Sequence, residues 1–167
     1  IIPVPYEATV SYGHGTAKGP DAILDASHYV EEFDGISMPS EAGMYVEPAV
    51  KTKGLRDEQV FKALEASVAR VIHEGCIPVV LGGEHSLTLG AVRAFARRGQ
   101  RFGVVHFDAH SDLRNTYQGS RYSHACAIRR VLDLGVPVFQ IGIRSFDRND
   151  PQARRQRHVG HLDADEI

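Results

Sequence analysis

The feature that most constrains the fold of this chain is an alternation of short apolar runs with amphipathic segments. Residues 77–81, 102–107 and 138–143 are apolar and rich in β-branched side chains, which is typical of strands buried on both faces. Helices are predicted between them, one capped by Ser86 and running to about Arg98, the other capped by Ser123. This order predicts an α/β fold with a mostly parallel sheet and crossover helices.

Two further helices are predicted nearer the amino terminus. The clearest covers residues 57–74, where apolar side chains recur on one stripe, Asp57 can cap the start and Gly75 can end it. A second helix is predicted from Gly19-Pro20, because proline suits the first helical turn and apolar residues follow at helical spacing as far as Phe33. Residues 163–166 read as the beginning of another helix.

Length and composition bound the class of protein. The 167 residues match one domain, and 43% hydrophobic with 24% charged residues is a globular composition. A formal charge of -2 gives no general attraction to nucleic acid, and no apolar run reaches the length of a membrane span. Cys76 and Cys126 form neither a disulfide framework nor a CxxC motif, so we expect a reducing, cytoplasmic compartment.

The carboxyl ends of the predicted strands carry the chemistry. Asp108, His110 and Asp112 follow the second strand at alternating positions, so an extended backbone would point all three to one side. Two unpaired carboxylates in a confined space are costly, and a divalent cation would relieve the repulsion. The alternative is a solvated loop in which one aspartate caps a helix. Their place at the end of a buried strand favours the metal site.

His85 strengthens the metal hypothesis. It follows the neighbouring predicted strand after Gly82-Gly83, a pair that lets backbones approach closely. Together the four residues offer oxygen and nitrogen ligands and no thiolate. Manganese, magnesium, zinc and iron all remain open on ligand type, with two carboxylates and two histidines favouring manganese, zinc or iron over magnesium.

Two other histidines lie near this set. His124, at the start of a predicted helix, could carry protons at the rim of the site, as histidine side chains often do, or it could be an ordinary surface histidine beside a helix cap. His106 lies inside its strand, which favours a packing or supporting role over a ligand role.

These segments resemble the ureohydrolases, the family of arginase and agmatinase. Residues 81–86 (LGGEHS) and 107–112 (FDAHSD) resemble the family's first two metal motifs in the same order. Residues 15–20 (GTAKGP), 122–125 (YSHA) and 140–145 (QIGIRS) are similar to agmatinase-like members in particular.

The resemblance implies an arginase-like, three-layer α/β/α fold with two Mn²⁺ ions. By that resemblance His85 and Asp112 hold one ion, His110 holds the other, Asp108 bridges both, and His124 moves protons near the substrate. The same resemblance implies that a hydroxide bridging the metals attacks the guanidinium carbon, and that agmatine is hydrolysed to putrescine and urea. The family also implies a homo-oligomer with a small guanidino substrate as its partner.

The chain departs from the family pattern in one respect. The third metal motif, S-x-D-x-D-x-x-D-P, and a later substrate-binding glutamate are absent. We therefore expect residues 1–167 to be the N-terminal part of a single ureohydrolase domain, with a fold incomplete at the carboxyl end and no activity in isolation.

The same residues are compatible with other substrates and with a protein that binds metal without catalysis. The same chemistry could serve aminopropylagmatine, guanidinobutyrate or arginine. Arg114 and Arg121 make residues 113–122 basic, which favours a carboxylate-bearing substrate. A metal-binding module without turnover is the alternative from another class.

Overall fold

The computed structural model describes all 167 residues, with five strands and five α-helices connected by loops and short 3₁₀ turns. None of the helices is both long and apolar enough to cross a membrane. In chain order the elements are β1 (Ile2–Val4), α1 (Gly19–Ser27), α2 (Glu58–His73), β2 (Val80–Gly82), α3 (Thr88–Ala96), β3 (Val104–Phe107), α4 (Ala127–Asp133), β4 (Val138–Ile141), α5 (Asp150–Arg157) and β5 (Gly160–Leu162).

The strands form two parallel sheets. β1 pairs with β2, and β3, β4 and β5 pair in that order. The α/β architecture with parallel pairing is as predicted, but β2 and β3 are not hydrogen-bonded neighbours, so placing them side by side in one sheet was wrong. Apolar periodicity finds strands, whereas their spatial order depends on long-range packing.

Three elements had no sequence prediction. β1 and β5 are only three residues long, too short for periodicity to show. α5 has the sequence DPQARRQR, and the residues it buries are Asp150 and Arg154. Because that helix has no apolar stripe, a hydrophobic pattern could not reveal it.

The helix over residues 57–74 is confirmed as α2, with Val60, Leu64 and Val68 fully buried. The predicted cap is wrong, because Asp57 adopts φ 48° and its side chain makes no capping bond, contacting instead the Tyr6 hydroxyl at 3.5 Å. α1 begins at Gly19 as predicted but ends at Ser27, so Phe33 lies outside it and is 59% exposed.

The serine caps predicted for α3 and α4 are also wrong. A 3₁₀ turn precedes each helix, at His85–Leu87 and His124–Cys126. The Ser86 hydroxyl donates to Glu84 at 2.6 Å, and Ser123 makes no side-chain capping bond. Residues 163–166 do begin a helical turn, closed by a reciprocal capping box between Asp163 and Glu166.

Two hydrophobic clusters hold the sheets. One joins β1 and α2 with the start and end of α3, and includes Ile2, Val4, Leu64, Leu87 and Ala94. The other packs α3 and α4 against β3 and β4, and includes Val92, Ile128, Val131 and Val138. α3 belongs to both clusters, so it fixes the position of one sheet relative to the other.

The second sheet is covered on one face. His106 of β3 and Gln140 of β4 point into the protein, whereas Val105, Phe107 and Phe139 are 59%, 74% and 44% exposed. The prediction of strands buried on both faces is therefore wrong for this chain. The alternation places polar side chains in the interior beside the functional site.

Candidate metal centre

The carboxyl ends of β2 and β3 open on a common cavity of about 420 Å³. All five predicted site residues line it: His85, Asp108, His110, Asp112 and His124. β2 leads to His85 through Gly83, where a side chain would overlap the carbonyl oxygen of Tyr6. The close backbone approach predicted for the glycine pair is thus confirmed at Gly83.

His85 joins the acidic loop directly. Its Nδ1 lies 2.6 Å from Oδ2 of Asp112 and 3.5 Å from Oδ2 of Asp108. The histidine after one strand and the carboxylates after another therefore converge, as the sequence predicted.

The acidic loop is not extended throughout. The backbone N–H of His110 donates to Oδ1 of Asp108 at 2.8 Å, and the chain enters the left-handed region at Asp112, with φ 51°. The predicted extended backbone over residues 108–112 is wrong at this last residue. Aspartate tolerates the conformation better than most residues, and the turn leaves its carboxylate buried beside His85.

The structure places His110 farther from the compact group, and His106 closer to it, than the sequence predicted. The His110 side chain is 66% exposed, with Nδ1 3.4 Å from Oδ1 of Asp108. His106 is buried, stacks on His85 at a centroid distance of 5.3 Å, and places Nε2 3.3 Å from Oδ2 of Asp108. One potential ligand atom each from His85, His106, Asp108 and Asp112 lies within 4.8 Å of the others, so His106 replaces His110 in the compact group.

The charges of His85, His106 and Asp108 influence one another's pKa values. Burial opposes protonation of His85, but the hydrogen bond and charge of Asp112, with the charge of Asp108, outweigh it and raise the pKa of His85. Burial and then the charge of His85 lower the pKa of His106. For Asp108, burial is outweighed by the His110 N–H and the two imidazoles, so its pKa is lowered. A divalent cation suits this donor set, because it would replace the proton of His85 between two carboxylates.

His124 is held on the cavity wall by hydroxyl groups. Its backbone N–H donates to Oγ1 of Thr9 at 3.0 Å, its Nδ1 lies 3.3 Å from the same oxygen, and its Nε2 lies 3.0 Å from Oγ of Ser11. The ring also meets Tyr117 edge-on at 5.8 Å. Both ring nitrogens of His124 thus lie within hydrogen-bonding distance of a hydroxyl group.

Sequence reasoning missed the role of Glu84. Its buried carboxylate accepts the backbone N–H groups of Ala8 and Thr9, both at 2.6 Å, and the hydroxyls of Thr9 at 2.8 Å and Ser86 at 2.6 Å. Glu84 therefore ties the loop that carries Thr9 to the end of β2, and through Thr9 it supports His124. Its position beside His85 was visible in the sequence, but its partners are remote in the chain.

The rest of the cavity lining carries more acidic than basic side chains. Nη2 of Arg114 forms a 3.0 Å ion pair with Asp147, and its guanidinium lies 5.0 Å from the Tyr117 ring centroid. The carboxylate of Asp150 accepts the Ser111 hydroxyl and, at 2.6 Å, the backbone N–H of Asp147. Four aspartates against one paired arginine give the cavity a negative potential that suits a cation.

Known proteins are similar to this chain in both sequence and fold. The chain is 36% identical over 167 residues to N(1)-aminopropylagmatine ureohydrolase of Synechocystis, covering 95% of this chain and 55% of that protein. Agmatine ureohydrolase of Thermoplasma volcanium superposes with a TM-score of 0.84 at 35% identity, covering 99% of this chain and 57% of that one. Arginase of Medicago truncatula superposes with a TM-score of 0.87 at 26% identity, covering 96% and 55%.

The chain thus spans little more than half the length of these relatives. The likeness to solved structures confirms the predicted arginase-like α/β fold over the part that is present. The model of the arginase family matches all of residues 1–167, and with the motifs after β2 and β3 it establishes that the chain belongs to the arginase family.

Proposed function

We propose that this chain carries metal ligands of a Mn²⁺-dependent ureohydrolase that hydrolyses a linear guanidine. The observation that carries the proposal is the convergence of His85, Asp108 and Asp112 at one end of the cavity. These three would hold one ion, and His110, at the cavity mouth beside Asp108, would contribute to a second. Such ions lower the pKa of a bound water molecule and so supply a nucleophile at neutral pH.

The protein's own residues prepare the site for that chemistry. His110 N–H and His85 orient the carboxylate of Asp108, and the turn at Asp112 directs its carboxylate to the same point. His124 exchanges protons at the cavity wall, where Ser11 and Thr9 hold its ring nitrogens.

A guanidine with a cationic tail is the substrate class that the cavity favours, and agmatine, giving putrescine and urea, is our first candidate. The basic segment 113–122 favours a carboxylate tail less than its charges suggest, because the Arg114 charge is paired with Asp147. Asp147 and Asp150 together outnumber that one arginine in the cavity lining, which favours an amine over a carboxylate there. N(1)-aminopropylagmatine, with a longer cationic tail, is the second candidate, since the Synechocystis relative carries that name.

The test is urea release by the full-length, manganese-loaded protein. We expect turnover of agmatine or aminopropylagmatine with a higher kcat/KM than that of guanidinobutyrate or arginine, and no activity from the isolated 167-residue chain. Asp108→Asn should abolish turnover, whereas Asp25→Asn, at an exposed position on α1, should preserve it. Metal binding without urea from any guanidine would instead identify a metal-binding module.

A further inference from the structure

A chain of hydrogen-bonded polar side chains leads from Asp163, directly after β5, to the metal centre. Arg154 of α5 binds both carboxylate oxygens of Asp163 at 2.8 Å and donates from Nε to Oε1 of Gln140 at 3.0 Å. Gln140 is fully buried and Arg154 is 6% exposed. Because a guanidinium can only donate, the amide oxygen of Gln140 must face Arg154.

This orientation fixes the other side of the amide. Nε2 of Gln140 donates to the carbonyl oxygen of Ser111 at 2.7 Å and lies 3.2 Å from Nδ1 of His106. An amide NH₂ has two protons, one for each partner, so Nδ1 of His106 accepts. A neutral imidazole that accepts at Nδ1 carries its proton on Nε2.

Nε2 of His106 is the atom that faces Asp108. It lies 3.3 Å from Oδ2, is buried, and has no aligned hydrogen bond to another group. A lone pair at Nε2 would oppose the lone pairs of the carboxylate, whereas a proton there is attracted to it. The Asp108 contact therefore favours the same tautomer as the Gln140 contact, although the two partners are independent.

We propose that His106 is a positioning residue that presents an Nε2–H to Asp108, and that Asp163, Arg154 and Gln140 set its tautomer. Of the four residues in the compact group, His85, Asp108 and Asp112 then bind metal and His106 does not, since a protonated nitrogen has no lone pair to give. The effect on metal binding rests on the proposed function, whereas the tautomer of His106 does not. Groups that orient ligands in this way typically change metal affinity by about 10–100-fold when lost.

The tautomer can be measured directly in the full-length protein by ¹⁵N NMR of its histidine rings, first without metal and then with diamagnetic Zn²⁺. We expect His106 to carry its proton on Nε2 in both states, whereas His85 should lose a ring proton when the metal binds. A proton on Nδ1 of metal-free His106, or a metal-bound Nε2, would overturn the proposal. Neither result depends on urea release, so an inactive protein would defeat the proposed function and leave this test intact.

Substitutions separate positioning from ligation. His106→Gln keeps an NH₂ donor near the Nε2 position, so its Zn²⁺ Kd should stay within a few-fold of that of the parent. Complete loss of such a supporting group typically changes metal affinity by about 10–100-fold. His106→Leu removes the donor and should weaken the Zn²⁺ Kd by about 10–100-fold without changing the number of ions bound. Loss of one bound ion in both variants, as expected for His85→Gln, would show instead that His106 is a ligand.

Gln140→Glu tests the origin of the tautomer. Glutamate can still accept from Arg154, but it offers His106 an acceptor in place of a donor. Nδ1 of His106 should therefore carry a proton in this variant, which the same NMR experiment detects. An Nδ1 that stays unprotonated would contradict the role of Gln140. If this variant does not fold, Arg154→Met is the substitute, because it removes the donor that holds the Gln140 amide oxygen. The fraction of His106 with its proton on Nε2 should then fall, and an unchanged fraction would contradict the role of Arg154.

Discussion

Nδ1 of His85 lies 2.6 Å from Oδ2 of Asp112, although these two residues follow strands of different sheets. No backbone ladder joins β2 to β3, so strand pairing does not set this distance. The element that spans both sheets is α3, which packs with α2 in one hydrophobic cluster and with α4 in the other. The geometry of the metal centre therefore depends on helix packing.

Core packing beneath α4 should accordingly affect the site. Ile128→Ala removes a fully buried side chain from the cluster that joins α3 and α4 to β3 and β4. We expect a loss of about 2–5 kcal/mol in the free energy of unfolding, measured by urea denaturation, and weaker Zn²⁺ binding measured by calorimetry. Ile36→Ala, at a position 92% exposed, is the matched control and should change neither quantity. Metal affinity unchanged in Ile128→Ala would show that the site is independent of this cluster.

The buried carboxylate of Glu84 should be required for stability. In Glu84→Gln an NH₂ group must face donors, since the carboxylate accepts from two backbone N–H groups and two hydroxyls. We expect a loss of about 1–3 kcal/mol in the free energy of unfolding, together with a lower kcat because Thr9 no longer holds His124. Glu31→Gln, on the exposed surface, is the control. An unfolding curve that superposes on that of the parent would contradict the role given to Glu84.

Acid should weaken a contact between helices. Glu58 of α2 binds Arg93 of α3 through both oxygens, at 2.6 and 2.8 Å, and accepts the Tyr122 hydroxyl at 2.7 Å. The hydrogen bond from Arg93 lowers the pKa of Glu58 to about 2, from an ordinary value of 4.5. A folded-state pKa below the unfolded value means that the stabilisation is complete above pH 4.5 and is lost as the pH falls towards 2.

Thermal unfolding at a series of pH values tests this contact. The parent should be more stable than Glu58→Gln at pH 7, and the difference in Tm should shrink as the pH falls from 4.5 towards 2. A difference that stays constant across that range would assign the effect to packing and not to the charge of Glu58.

Asp147 should control selectivity among guanidines. Asp147→Asn removes the ion-pair partner of Arg114 and leaves a cation on the cavity wall. We expect the ratio of kcat/KM for agmatine to that for guanidinobutyrate to fall on the order of tenfold, equivalent to about 1.4 kcal/mol. Arg114→Gln should leave the preference for a cationic tail at least as strong as in the parent. An unchanged ratio in Asp147→Asn would place the substrate tail elsewhere in the cavity.

Sequence alone determined the family, the parallel α/β architecture and the convergence of His85 with Asp108 and Asp112. The family follows from the resemblance of residues 81–86 and 107–112 to known metal motifs. The architecture follows from apolar periodicity, and the convergence was expected because the carboxyl ends of parallel strands collect ligands. The cap predictions failed at Asp57, Ser86 and Ser123 because capping depends on which acceptor or donor lies nearest in three dimensions.

Only the tertiary structure decided the order of the strands, the place of His106 beside Asp108, and the buried partners of Glu84 and Gln140. Those partners come from segments far apart in the chain, and no periodicity links Arg154 to Gln140 or Thr9 to Glu84. Sequence patterns report which face of an element is buried, but the identity of a neighbour across a core depends on how whole elements pack. For this chain, residue types and spacing predicted where ligands gather, and packing selected which side chains support them.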